Sequence, residues 1–145
     1  MDWMLSKLNS PLMLPMWYSI ACGALVGLER ELKNKDAGIK TTVFICVGAC
    51  IFTFISLNIS GSNDVSRVIA QIVKGVGFLG GGVIFKDRDS VTGLTSAAII
   101  WMTAGIGCLI GLGYYAEAGM ASLTIVCLDF GFDYLKNIFR INKDK

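Results

Sequence analysis

The sequence contains no histidine, and charged residues make up only 17% of its 145 positions. The absence of histidine removes the commonest transition-metal ligand and the usual general base near neutral pH. No side chain resembles a nucleophile paired with a base, so the sequence predicts neither an enzyme nor a bound cofactor. The net charge of +2 is too small to indicate a nucleic-acid partner.

Apolar residues make up 54% of the chain and come in long blocks rather than in short periodic runs. A soluble domain of this length would carry more charge. We therefore predict one compact membrane domain surrounded by the lipid bilayer. Five cysteines lie inside the apolar blocks, where we expect small buried side chains rather than disulfides or a zinc site. They are Cys22, Cys46, Cys50, Cys108 and Cys127.

The apolar blocks predict five membrane-spanning helices, since a span takes roughly 20 residues. The predicted spans are residues 12–28, 41–59, 65–85, 93–112 and 116–135. The fold class is thus an all-α polytopic membrane protein with a transmembrane domain at 12–135. A short segment, 1–11, precedes this domain, and a basic tail, 136–145, follows it.

Lysine and arginine are distributed unevenly between the two sides that five spans define. Ten of them fall in the loop 29–40, the connection 86–91 and the tail 136–145, whereas Lys7 and Arg67 fall on the other side. Cytoplasmic loops carry the excess of basic residues. This asymmetry predicts an outside N-terminus and a cytoplasmic C-terminus.

The third span carries an unusual polar stripe. Arg67, Gln71 and Lys74 are spaced i, i+4, i+7, which places them on one face of a helix. A lysine inside a membrane helix costs about 2.5–3.5 kcal/mol, so we expect this face to contact protein or water. Five glycines follow between Gly75 and Gly82. We expect this span to be the central helix.

Two further pairs of glycines predict close helix packing. Gly23 and Gly27 in the first span, and Gly107 and Gly111 in the fourth, have the small-xxx-small spacing of packed membrane helices. We expect the first and fourth helices to pack on the third through these glycines.

The charged residues within spans are candidates for ion pairs. Arg67 is expected to pair with Asp64 or Glu117 near the outer surface. For Lys74, one interpretation is a buried pair with Asp129. The other is that Asp129 and Asp133 lie together at the cytoplasmic interface.

Carboxylates also raise the question of magnesium, which prefers oxygen ligands. Those of Glu29, Asp64, Glu117, Asp129 and Asp133 are scattered over several helices. A lysine among them disfavours an open Mg²⁺ path. The G-x-G-x-x-G spacing of 75–80 lies in a membrane span and not in a βαβ unit, so we interpret it as helix packing or as a local helix break.

Four strings resemble the MgtC/SapB family of bacterial inner-membrane proteins. GALVGLERE ends the first span, AGIKTT opens the second, SRVIAQIVKGVGFLGGGVI lies in the third, and VTGLTSAAIIWMTAGIGCLIGLGYY covers the fourth. The family-motif positions are Glu29, Arg30, Gly75, Gly77, Phe78, Gly80, Gly82, Gly93, Thr95 and Trp101.

The chain departs from the family pattern in two places. Many members carry a soluble C-terminal domain, whereas only about ten residues follow the last predicted span here. The position of Lys74 is usually a small residue in the family. The charge at this position implies a difference in what the protein binds or excludes.

The resemblance implies a multi-pass, virulence-associated protein of the bacterial inner membrane, linked to magnesium homeostasis and to stress or host survival. The leading hypothesis is a regulatory or accessory protein that acts on other membrane proteins. One alternative is a small ion transporter or channel whose path follows Arg67, Gln71 and Lys74, with Mg²⁺ as a transported or regulated ion. Another is a structural subunit of a larger assembly or a homo-oligomer. A basic pocket of Arg67 and Lys74 that holds an anion or a lipid phosphate is a further possibility.

Overall fold

The computed structural model describes residues 11–59, 62–88 and 90–141. Within these ranges the chain forms five helices and one short hairpin. The helices are α1 (Met13–Leu32), α2 (Ile39–Ile59), α3 (Ser62–Gly81), α4 (Leu94–Gly111) and α5 (Tyr115–Ile141), and the strands β1 (Phe85–Lys86) and β2 (Val91–Thr92) lie between α3 and α4. The all-α class is therefore confirmed. Three of the described helices, α2, α4 and α5, are long and apolar enough to cross a membrane.

The two most extensive helix contacts of the bundle both involve α2. Helix α1 packs on it so closely that a Cβ atom at Gly23 would lie 2.8 Å from the Cα of Val43. Helix α4 packs just as closely farther along α2, since a Cβ atom at Gly107 would lie 2.8 Å from the Cβ of Ala49. The predicted glycine pairs thus do bring helices together, but they pack on α2.

The prediction that the third helix is central is wrong. Helix α3 buries only a narrow face. Among the residues of α3 whose burial is described, the buried ones are Val65, Val76 and Gly80. A Cβ atom at Gly75, Gly77 or Gly81 would meet nothing within 4 Å. Glycine permits close packing, but it does not by itself show which glycines a neighbour contacts.

The third span is also shorter than predicted. Helix α3 ends at Gly81, where the amide of Gly82 donates to the carbonyl oxygen of Phe78 at 3.1 Å. Phe85, predicted to lie in the helix, instead pairs with Thr92 in the antiparallel hairpin. The run of three glycines explains the early end, because glycine is a poor helix former.

The last helix is longer than predicted. Helix α5 continues to Ile141, so most of the predicted tail 136–145 is helical. Residues 142–145, the segment 1–10 that includes Lys7, and Asp89 lie outside the described residues. Four of the five cysteines are buried as predicted, but Cys127 is exposed on α5.

We expect the glycine contacts with α2 to control stability. Gly107→Val places a side chain against α2 and should cost about 1–3 kcal/mol through overpacking. Gly105→Val is the matched control, because Gly105 lies on the same helix and has nothing within 4 Å of its Cβ position. Thermal unfolding in detergent should show a clearly lower midpoint for Gly107→Val alone. Equal midpoints for the two variants would contradict the close packing of α4 on α2.

Candidate functional site

Six charged side chains gather at the end of the bundle where α1 ends and α2 and α4 begin. We call this group the charge cluster. Its members are Glu29, Arg30, Lys33, Lys35, Asp129 and Asp133. Three come from α1 and the residue that follows it, one from the loop before α2, and two from α5. Asp129 and Asp133 lie one helical turn apart, so their carboxylates face the same loop.

Arg30 is the buried centre of the charge cluster, with only 1% of its surface exposed. Its Nη2 donates to the carbonyl oxygen of Asp36 at 2.6 Å and to the hydroxyl of Ser96 at 2.5 Å. Its Nη1 lies 3.9 Å from Oδ2 of Asp129. A single guanidinium therefore joins the end of α1 to the following loop, to the first turn of α4 and to α5.

The loop that Arg30 contacts has an unusual backbone. Asn34 and Ala37 adopt positive φ angles of 50° and 60°. This region is unfavourable for residues other than glycine, and particularly so for alanine, which has no polar side chain to compensate. Nε of Arg30 donates to the carbonyl oxygens of Asp36 at 3.0 Å and Ala37 at 3.2 Å. These bonds stabilise the turn.

Two lysines neutralise the carboxylates of the charge cluster. Nζ of Lys35 lies 2.9 Å from Oδ2 of Asp133 and 3.2 Å from Oδ2 of Asp129. Nζ of Lys33 lies 2.7 Å from Oδ2 of Asp133 and also pairs with Glu29. Three cations thus face three carboxylates, so the formal charge of the charge cluster is zero.

The carboxylate oxygens of Glu29, Asp129 and Asp133 lie within 4.8 Å of one another, which is close enough to hold one metal ion. Each carboxylate, however, already contacts a lysine or an arginine. A magnesium ion would have to displace Lys33 and Lys35 and would then lie beside Arg30. The donor set therefore fits an ion-pair network better than a magnesium site.

A cavity of about 600 Å³ adjoins the charge cluster. Its polar wall includes Arg30, Lys35, Ser96 and Asp129, and its apolar wall includes Phe132. The cavity offers charges of both signs, so it does not select for an anion or a cation.

The structure decides between the two interpretations of Lys74. Asp129 pairs with Lys35 and Arg30, whereas Lys74 is exposed on α3. This arrangement fits the interpretation in which Asp129 and Asp133 lie together at the end of the bundle. Their lysine partners are Lys33 and Lys35, which follow α1, and not lysines of the basic tail.

The polar stripe lies on the outer surface of the bundle. Nη1 of Arg67 lies 3.2 Å from Oδ1 of Asp64, one of the two partners expected. The Arg67 side chain is 82% exposed, and Gln71 and Lys74 are exposed as well. Glu117, the other expected partner, is exposed at the start of α5, and no ion pair involves it among the described residues.

Two of the remaining family-motif positions, Gly80 and Gly93, serve the packing around α4. Gly93 is the N-cap of α4 with φ of 84°, and a Cβ atom there would collide with the backbone of Val83. Gly80 packs against Ala97, since a Cβ atom at Gly80 would lie 3.4 Å from the Ala97 carbonyl oxygen. Thr95 lines the cavity beside the charge cluster. Phe78 and Trp101 are exposed on the surface of the bundle, and Gly82 lies in the turn after α3.

Sequence reasoning missed Lys33, Lys35 and Ser96 as partners in the charge cluster. The two lysines were counted only as topology signals. The missed signal is that the predicted topology places the loop 29–40 and the last turns of the fifth span on the same side. A carboxylate pair at i, i+4 facing a basic loop predicts ion pairs.

Comparison with known protein families covers most of the chain. The MgtC family model matches residues 16–138. The chain belongs to the MgtC family. It is accordingly a membrane protein with transmembrane helices, as the resemblance in four sequence strings indicated.

Individual relatives of the MgtC family support the match. Protein MgtC of Brucella abortus is 38% identical over 122 residues, which cover 79% of this chain and 51% of the relative. Protein SapB of Bacillus subtilis is 40% identical over 134 residues, which cover 86% and 57%. Protein MgtC of Salmonella typhimurium is 40% identical over 117 residues, which cover 81% and 50%. The chain spans about half the length of the curated relatives it matches. No solved structure matches.

The lysines of the charge cluster predict how stability depends on pH. Burial lowers the pKa of Lys35, but hydrogen bonds to Asp133 and Asp129 outweigh burial and raise the pKa above 10.5. A raised pKa contributes stability below the unfolded value, and this contribution is lost as the pH rises through the folded value. The stability advantage of the wild type over Lys35→Met should therefore be full near neutral pH and be lost as the pH rises through the raised pKa of folded Lys35.

Thermal unfolding of both proteins across this pH range measures the effect. Lys35→Arg is the control, since a guanidinium does not lose its proton and should keep the advantage at high pH. A difference between wild type and Lys35→Met that stays constant with pH would show that the ion pairs contribute nothing.

Proposed function

We propose that the chain is an accessory or regulatory protein of the bacterial inner membrane, linked to magnesium homeostasis and to stress or host survival. It acts by direct contact with other membrane proteins. The observation that carries this proposal is the surface of α3 that faces away from the bundle. That surface has the features of a helix-packing interface but has no neighbour among the described residues.

Small residues line this surface, which we call the outer face of α3. Ser66 and Ala70 are four residues apart and exposed, and so are Gly77 and Gly81. A Cβ atom at either glycine would meet nothing within 4 Å. Small residues with this spacing let two membrane helices approach closely. The outer face of α3 thus suits a transmembrane helix of a partner.

Lys74 lies in the middle of the outer face and is exposed. A lysine within the hydrocarbon region costs about 2.5–3.5 kcal/mol when it faces lipid. An acidic or hydrogen-bonding side chain on the partner helix would remove most of this penalty. The charge therefore favours a partner with a carboxylate at the matching depth.

The interior of the bundle supports an accessory role over transport. In the described part of the chain, the buried charged residues are Glu29, Arg30 and Asp129, all in the charge cluster at one end. The rest of the core is built from uncharged side chains. Most are apolar, such as Val26, Cys46 and Ile110, and several are hydroxyl side chains, among them Thr42, Thr53 and Ser122. A polar path along Arg67, Gln71 and Lys74 would run outside a single copy.

We also propose five spans with the N-terminus outside. Under this topology the charge cluster lies at the cytoplasmic surface, next to most of the lysines and arginines. Helices α1 and α3 carry charges within their length, so crossing the membrane requires neighbouring groups that neutralise these charges. The charge cluster provides these groups for α1, and the partner helix provides them for α3.

Site-specific photocrosslinking in intact cells tests the proposed partner contact. We expect a photoreactive amino acid at position 77, on the outer face of α3, to give a discrete adduct with another membrane protein. Position 105 is the matched control, because Gly105 is also exposed and has nothing within 4 Å of its Cβ position. Lys74→Glu, which reverses the charge, should abolish the adduct.

Ion flux in liposomes separates this proposal from transport. The accessory role predicts no Mg²⁺ or proton flux above empty liposomes. A flux that Lys74→Ser alters would instead make the chain a transporter. Equal labelling from positions 77 and 105 would show that the outer face of α3 contacts only lipid.

A further inference from the structure

A second surface feature lies between α2 and α3, next to the polar stripe of α3. It is a groove of about 700 Å³ with mostly apolar walls. Phe44 and Phe52 of α2 form one rim and are 74% and 60% exposed. Leu79 of α3, 53% exposed, forms part of the other rim.

The groove exists because its floor has glycine on both helices. Gly48 of α2 and Gly75 of α3 both line it, and a Cβ atom at either position would meet nothing within 4 Å. Neither glycine is therefore needed for packing within the chain. Their shared effect is to leave space between two helices that would otherwise fill it.

The length of the groove corresponds to one leaflet of the membrane. From Arg67 to Leu79 is a rise of about 18 Å along a helix, at 1.5 Å per residue. Half of a hydrocarbon core of about 30 Å is close to this value. A partner helix would need a contact surface along the full core, whereas an acyl chain needs only one leaflet.

The polar end of the groove carries two opposite charges. Arg67 and Asp64 both line it, with Nη1 of Arg67 3.2 Å from Oδ1 of Asp64. A guanidinium binds phosphate through paired hydrogen bonds. A carboxylate beside it would repel a purely anionic headgroup but would attract an ammonium.

We propose that the groove between α2 and α3 binds one phospholipid whose headgroup carries both a phosphate and an ammonium. One acyl chain lies over Gly48 and Gly75 between the aromatic rim of α2 and Leu79. The phosphate contacts Arg67, and the ammonium contacts Asp64. The floor of the groove at Gly75 and the small residues of the outer face lie on different sides of α3, and Arg67 lies between them.

Native mass spectrometry of the purified chain in detergent tests the proposal. The probes are phosphatidylethanolamine and phosphatidylglycerol with identical acyl chains. We expect the wild type to bind one lipid saturably, with a preference for phosphatidylethanolamine. Gly75→Leu places a side chain in the groove, at a position where an added Cβ atom meets nothing within 4 Å, and should weaken binding of both lipids about tenfold. Gly105→Leu, at an equally open position outside the groove, should bind as the wild type does.

The headgroup contacts are tested with two further variants. Arg67→Gln should weaken binding of both lipids, while Asp64→Asn should remove the preference for phosphatidylethanolamine. Both positions are partly exposed, so these variants test the proposal even if Gly75→Leu does not fold. Equal lipid binding by Gly75→Leu and Gly105→Leu would show general surface lipid and overturn the proposal. The proposal would also be overturned if Gly75→Leu lost a bound protein or no longer formed a dimer while its lipid binding stayed unchanged.

Discussion

One end of this bundle depends on a single buried guanidinium. Arg30 donates hydrogen bonds to the loop after α1 and to the first turn of α4, and its Nη1 lies 3.9 Å from the carboxylate of Asp129, so four segments meet at one side chain. A buried charge is tolerated only when its partners are all in place. The dependence is mutual. Arg30 holds the segments together, and contacts with these segments stabilise the buried charge of Arg30. Lys33 and Lys35 complete the charge balance, which leaves no excess charge to attract a metal ion.

The other organising constraint is the close packing of α1 and α4 on α2. Because α2 takes both glycine contacts, α3 is left at the side of the bundle with most of its surface unused. Its outer face and its groove then present different chemistry. The outer face has small residues and Lys74, whereas the groove has apolar walls with Arg67 and Asp64 at one end. Both proposals above follow from this peripheral position. A central α3 would have hidden both surfaces.

The helices and the glycine pairs were predictable from the sequence because apolar length and small-residue spacing are local properties. The central helix was not, because Gly75 and Gly77 have the same local pattern as Gly107, and only the fold shows which of them a neighbour contacts. Asp129 and Asp133 were recognised as a functional face, but their partners lie about a hundred residues away. The depth of a charge in a membrane span constrains its partner's depth and not its position in the sequence, so Lys74 and Lys35 were both compatible with Asp129 until the fold was known.

Hydrogen exchange of an Arg30→Lys variant tests the central claim most directly. Lysine keeps the charge but loses the planar fork that reaches several partners at once. If Arg30 couples the four segments, exchange should rise together in residues 33–38, in the first turn of α4 and around Asp129 on α5, while the opposite end near Gly111 stays protected. Arg67→Lys, which changes an exposed arginine paired with an aspartate, should alter only its own turn. A rise confined to residues 33–38 would show that Arg30 stabilises only its own loop, and the account of the charge cluster as the link between helices would then be wrong.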